Sequence, residues 1–254
     1  MKNKIQKHFD EVKERAEILN NDLTLNKISN DFMSRSHLLK YSYNFTWLGR
    51  PIIQYPQDIL SFQEIVFKVN PDLIIETGIA HGGSLILSAS LLNLLDLMQG
   101  INPKQSNRKV IGIDIDIRSH NYESIKNHPF SNKINMIEGS SIDKDTIKKV
   151  MELKSGYKKV LVCLDSNHTH DHVKKELCLY SEFVSLGSYI IVFDTVIEDL
   201  PKECCNDRPW SIGNNPLTAV NEWIDKNKNF KVDKFYDKKS LISVAKGGFL
   251  ERIK

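Results

Sequence analysis

The sequence is short of the features that mark secreted, membrane-spanning or metal-stapled chains. Its four cysteines, Cys163, Cys178, Cys204 and Cys205, show no paired CxxC spacing, which argues against a disulfide framework or structural zinc and for reduced thiols. The longest apolar stretch, Leu85 to Met98, is interrupted by Ser, Asn and Asp and falls short of the roughly 20 apolar residues of a membrane span. The opening residues, MKNKIQKHFDEVKER, contain no apolar signal core, so a cytoplasmic location is expected. Neither sign of charge dominates: Lys+Arg 35 against Asp+Glu 32 leaves +3, which weakens any case for nucleic acid as a partner. There is no GxGxxG, no HExxH and no repeat of fixed period.

What is present suits a folded enzyme-sized domain. With 254 residues, 41% of them hydrophobic and 26% charged, the chain can bury a substantial core. Ile5, Phe9, Val12, Ala16 and Leu19 recur at near-helical spacing, which predicts an amphipathic helix, followed by a looser one to Leu39. The helix is expected to cap a ligand pocket or to form a dimer contact, because its polar face mixes both charge signs and does not suit a membrane. From Tyr41 the texture changes to YSYNFTWLGRPIIQYPQDIL, read as an ordered loop leading into a helix from about Pro56 to Val69. Residues 1–70 are thus read as a helical arm with a substrate-side loop, and 71–254 as the ligand-binding domain.

Within that domain, LIIET (73–77), VIGID (110–114), INMIE (134–138), VLVCLD (160–165) and YIIVFD (189–194) are strand candidates. Helical stretches lie between them at 82–98, 118–127, 142–154 and 169–186, and another follows at 217–227. Short runs apolar on both faces, alternating with helices, predict a doubly wound, mostly parallel α/β sheet. FKVDKFY and SLISVAK, parted by a polar turn at Asp237–Lys239, predict a C-terminal antiparallel hairpin at the sheet edge.

Ligands of such sheets sit at the carboxyl ends of the strands. Those ends carry Glu76, Asp114, Glu138, Asp165 and Asp194, and charge beside a core is costly unless it has a partner or a task. The first end reads ETGIAHGGS: Gly78, Gly82 and Gly83 allow a tight turn and close approach of a ligand, with Ser84 at the start of the following helix. An acid two residues before the first glycine suits a cationic ligand, such as the methionyl amine of S-adenosylmethionine. Asp114 is placed to accept from both hydroxyls of a ribose, with Asp116 as the second candidate. Gly139, Ser140 and Ser141 stand where an adenine could be lined, although Ser-Ser before Asp143 also reads as a helix cap.

LDSNHTHDHVKKE (164–176) concentrates three histidines, but only His168 and His172 share a helical face, too few for zinc. A hard-cation site is the better fit, with Asp165 and Asp194 holding Mg²⁺ through oxygen and Glu198 or Asp199 completing it. His168 is then the candidate general base, beside Asp165. The long polar segment from Glu198 to Pro216 reads as a lid or substrate wall. Arg208 and Trp210 in it, and Gln54 in the Tyr41–Asp58 loop, are the candidate substrate contacts.

Taken together, WLGRPIIQYPQD, ETGIAHGGS, GIDIDIR, EGSSID, DSNHTHDHV, IIVFDT and RPWSIGNNPLTAV resemble the cephalosporin hydroxylase/rhamnosyl O-methyltransferase family, over roughly Tyr41 to Lys246. The resemblance implies a class I methyltransferase fold of seven strands, S-adenosylmethionine as methyl donor, and divalent-metal-assisted transfer to a hydroxyl of a saccharide or secondary metabolite. A homo-oligomer with a small-molecule or glycan acceptor is expected. Glu76, Gly78, Gly82, Gly83 and Asp114 are implied as cofactor contacts, and Asp165 and Asp194 as metal ligands. Relatives often carry an acid immediately before the last aspartate, where this chain has Phe193, so one ligand is either missing or supplied by Glu198, Asp199 or a histidine. The competing readings are a nicotinamide-dependent oxidoreductase, disfavoured by the missing GxGxxG, and a binding module with a decayed metal site.

Overall fold

The computed structural model describes residues 2–254. Helices α1 (Lys2–Asn21) and α2 (Leu23–Leu38) open the chain, divided by Asp22, whose side chain caps α2 by accepting from Leu25 N at 2.9 Å. The loop that follows contains a small antiparallel hairpin, β1 (Phe45–Trp47) and β2 (Arg50–Ile52). Helix α3 (Pro56–Val69) starts with proline in its first turn and stops at Asn70, in the left-handed region at φ 52°.

The main sheet holds β3 (Leu73–Thr77), β4 (Lys109–Asp114), β5 (Ile134–Glu138), β6 (Val160–Leu164), β7 (Tyr189–Val192), β8 (Phe230–Val232) and β9 (Phe249–Arg252). Its order is β5-β4-β3-β6-β7-β9-β8, with the first five strands mutually parallel and β9 antiparallel to both neighbours. The order reverses between β3 and β6, which places the switch point there. The crossover helices are α4 (Gly83–Met98), α5 (Ser119–Lys126), α6 (Lys144–Lys154), α7 (His170–Tyr180) and α8 (Pro216–Lys226).

The alternation of β3 divides the core. Ile74 joins Ile65, Leu92 and Leu161 on the α3–α4 side, while Leu73 and Ile75 join Val162, Leu177 and Trp223 on the α7–α8 side. At the far end of the sheet, Asp96 on α4 is fully buried between Arg108 (2.8 Å) and Lys133 (2.7 Å), an ion triad that ties α4 to β4 and β5.

One expected element is replaced. The partner of β8 is Phe249–Arg252 and not SLISVAK, and Phe235–Ser240 forms a short helix, α9. Asp233 Oδ1 accepts from Phe235 N at 3.1 Å and starts that turn. Ser243 and Val244 instead donate to Asp58 on α3, at 2.6 and 3.0 Å, and Val196 N donates to Val244 O. With those groups spent on α3 and the segment after β7, the strand position falls to the following residues.

Candidate active site

The carboxyl ends of β3, β6 and β7 converge at the switch point. Gly78 follows β3 at φ 92°, and a Cβ there would overlap the Asp165 backbone carbonyl, so glycine lets the two strand ends touch. Gly83 opens α4 against the Pro51 carbonyl, which seats the β1–β2 hairpin on the start of that helix. Gly82 is the left-handed N-cap of α4.

The turn between them is tied from three directions. Asp114 Oδ2 accepts from Ile79 N (2.8 Å) and Ala80 N (3.2 Å), Asn121 donates to Ala80 O (2.9 Å), and Arg50 donates to His81 O and Asn121. Asp114 thus shapes the glycine turn with one oxygen, while Oδ1 accepts from Asp116 N at 3.2 Å. Asp116 itself is exposed.

Beneath the turn lies a cavity of about 30 Å³, lined by Gln54, Asp58, Glu76, Gly78, Ser84 and Asp165 among others. No lysine, arginine or histidine lines it. Burial pushes Glu76 up to about 7, against a hydrogen bond donated by Ser88. Burial does the same to Asp58, to about 7, against its bonds from Ser243 and Val244. Asp165 is raised first by burial and then by the neighbouring Asp194 and Glu76 carboxylates. Crowded acids without a cation favour a positively charged occupant.

Asp165 also belongs to a second cluster. One ligand atom each from Asp165, His168 and Asp194 lie within 4.8 Å of one another, and His168 Nε2 is 3.1 Å from Asp194 Oδ2. Two carboxylates and an imidazole are a donor set that a divalent cation accepts, and the oxygens suit Mg²⁺. Trp210 stands edge-on to His168 with ring centroids 4.7 Å apart, and the Arg208 guanidinium lies 5.3 Å over the Trp210 ring.

Other sequence-selected residues sit elsewhere. Glu198 Oε2 accepts from Gly213 N (2.8 Å) and from the Asn215 amide, and Asp199 pairs with Lys246, so both brace the 198–216 segment outside the cluster. Phe193 is buried and lines the cavity. Buried Ser141 meets His172 Nε2 at 3.0 Å, and Ser140 O accepts from Asp143 N in the turn before α6.

Arg50, Asn121, Asp58 and His37 were not singled out from the sequence. Arg50 and Asn121 act across 31 to 71 residues and Asp58 across 185 and 186, beyond any local pattern. His37 comes from α2, which packs against the Lys202–Cys205 turn and anchors through Ser36 to Tyr55 Oη at 2.8 Å. Burial lowers the His37 pKa, with Asp194 raising it and Arg208 lowering it, so the ring stands in the field of the cluster.

The family model described as Rhamnosyl O-methyltransferase/CmcI matches residues 39–253, leaving α1 and α2 outside the match. Rhamnosyl O-methyltransferases of Mycobacterium tuberculosis and Mycobacterium bovis are each 26% identical over 209 residues, 82% of this chain and 78% of theirs. Among solved structures, a CmcI with Mg and SAM is similar at 17% identity and TM-score 0.55, covering 84% of this chain and 78% of its own. An apo CmcI follows at 20% identity and TM-score 0.54, covering 84% and 77%. These structures share the fold.

Proposed function

The chain belongs to the rhamnosyl O-methyltransferase/CmcI family, and from that premise we propose that it transfers a methyl group from S-adenosylmethionine to a hydroxyl of a saccharide-like acceptor, assisted by a divalent cation. The observation that carries this reading is the adjacency of two sites sharing one residue. Asp165 lines the acidic cavity under the glycine turn and is also a corner of the Asp165–His168–Asp194 cluster. A cationic donor and an acceptor hydroxyl would therefore meet at Asp165.

The donor's ammonium and sulfonium suit the acidic cavity, and Glu76, Gly78, Gly82, Gly83 and Ser84 form the turn that would receive it. Asp114 would hold the ribose with the carboxylate that now braces the turn, and Ser140 and Ser141 would line the adenine. When bound, S-adenosylmethionine supplies the methyl group, and Mg²⁺ held by Asp165 and Asp194 would lower the pKa of the acceptor hydroxyl. His168 removes the hydroxyl proton. Asp194, whose Oδ2 lies 3.1 Å from His168 Nε2, would stabilise the imidazolium that results. Trp210 and Arg208 wall the acceptor side, and Trp210 keeps the His168 ring in place. Alignment does the rest, because displacement at a methyl carbon needs no covalent intermediate on the protein.

The relatives from Mycobacterium are named for a rhamnosyl acceptor, and a glycan of that kind is the first to try. The test is to incubate the full chain with S-adenosylmethionine, Mg²⁺ and a panel of rhamnose-bearing and other glycosides, and to follow the acceptor by mass spectrometry. A gain of one methyl per acceptor supports the assignment. Donor binding with no methylated product across hydroxyl acceptors would favour a binding module.

A further inference from the structure

Gln54 is 7% exposed, and the two ends of its amide have different fates. Its Nε2 donates to Asp165 Oδ2 at 3.2 Å. That bond sets the orientation, since turning the amide over would bring an oxygen against a carboxylate. Oε1 is buried and has no hydrogen-bond partner among the described residues. Buried carbonyls of this kind overwhelmingly have partners.

The neighbours indicate what Oε1 is for. Asp58 has both oxygens engaged, by Ser243 and by Val244 N, and Glu76 Oε1 is engaged by Ser88. Gln54 thus brings a buried, unpartnered acceptor to a cavity lined by Asp58, Glu76 and Asp165, with no basic side chain among its lining. An unpartnered acceptor beside a surplus of acid suits a cationic donor of hydrogen bonds, such as a primary ammonium.

We propose that Gln54 forms a buried ammonium subsite in which its Oε1 accepts from the amino group of the donor's amino-acid moiety while its Nε2 holds Asp165. The inference rests on the donor reading above. It makes Gln54 part of the donor side, and it links the donor's amino end to the carboxylate that the cation cluster shares.

The test uses S-adenosylhomocysteine, which carries the amine, and 5′-methylthioadenosine, which lacks it. Both are titrated calorimetrically into the wild-type chain and into Gln54→Met and Gln54→Glu. Gln54→Met should weaken S-adenosylhomocysteine about tenfold or more, the size of one charge-assisted hydrogen bond, and leave methylthioadenosine within about twofold. Gln54→Glu keeps an acceptor oxygen for the amine but gives up the bond to Asp165, so it should bind the homocysteine ligand more tightly than Gln54→Met and less tightly than the wild type. Equal losses for both ligands, or none for either, would overturn the subsite and leave the donor reading standing. Failure of the wild type to bind either ligand would overturn both. If Gln54→Met does not fold, an N-acetylated S-adenosylhomocysteine on the wild type decides the matter. It should bind at least about tenfold more weakly than the free amine, and equal affinity would contradict the proposal.

Discussion

His168 Nε2 lies 3.1 Å from Asp194 Oδ2, and Asp194 occupies the left-handed backbone region at φ 56°. A non-glycine residue held there is strained by roughly 1–2 kcal/mol, and such strain is retained where the surrounding structure demands it. The turn carries the chain out of β7 into the segment after it and leaves the carboxylate beside the loop that follows β6.

The first prediction concerns that pair. His168→Ala should lower methyl transfer by about 10²- to 10⁴-fold, the range of a lost general base, with donor affinity within about twofold. Asp194→Asn should also lower turnover and, unlike His168→Ala, abolish the heat of Mg²⁺ binding. Rates and calorimetry on the same preparations check both. A His168→Ala variant with wild-type rates would remove the base assignment.

A second prediction follows from Glu76. Its ordinary value of 4.5 rises to about 7 in the fold, so the folded chain keeps a proton that the unfolded chain has released between those values. Stability from this group is full below 4.5 and is lost as pH rises towards 7. Asp58, raised from 3.8 to about 7, acts in the same direction. Glu76→Gln keeps a neutral group at every pH, so its unfolding free energy, read by chemical denaturation, should gain on the wild type as pH rises from 5 to 8, by up to roughly 2–3 kcal/mol. A gap that stays constant across that range would show that Glu76 is ionised throughout.

The ion triad gives a third. Asp96→Ala leaves Arg108 and Lys133 buried without their counter-charge and should cost about 3–5 kcal/mol in urea unfolding. A loss under 1 kcal/mol would mean that the two cations find water or other partners.

Much of this was legible in the chain, and the limit is one of range. The parallel strands announce themselves as short runs apolar on both faces, and their ends put Glu76, Asp165 and Asp194 close together without any knowledge of packing. The C-terminal region misled because alternation in SLISVAK is local, whereas the fate of Ser243 and Val244 is settled by Asp58, 185 and 186 residues away. The same holds for Arg50 and Asn121, which shape the glycine turn from distant segments. Glu198 and Asp199 were attractive as nearby acids, but Asn215 and Lys246 engage them. His37 lies on a helix outside the family match, and nothing in its own neighbourhood marks it.

A fourth prediction tests the seat of the glycine turn. Gly83→Ala would push a methyl into the Pro51 carbonyl and Ile52, so the hairpin must shift or α4 must start later. The expected cost is about 1–3 kcal/mol, with weaker donor binding, read by chemical denaturation and calorimetry. Unchanged stability would mean that the hairpin moves freely.

The most direct test of the central claim is calorimetric titration of S-adenosylmethionine into the full chain, with Mg²⁺ and with chelator. The account predicts saturable binding of one donor per chain in both conditions, with a separate heat of Mg²⁺ binding that disappears in Asp194→Asn. Absence of donor binding under every condition would contradict it.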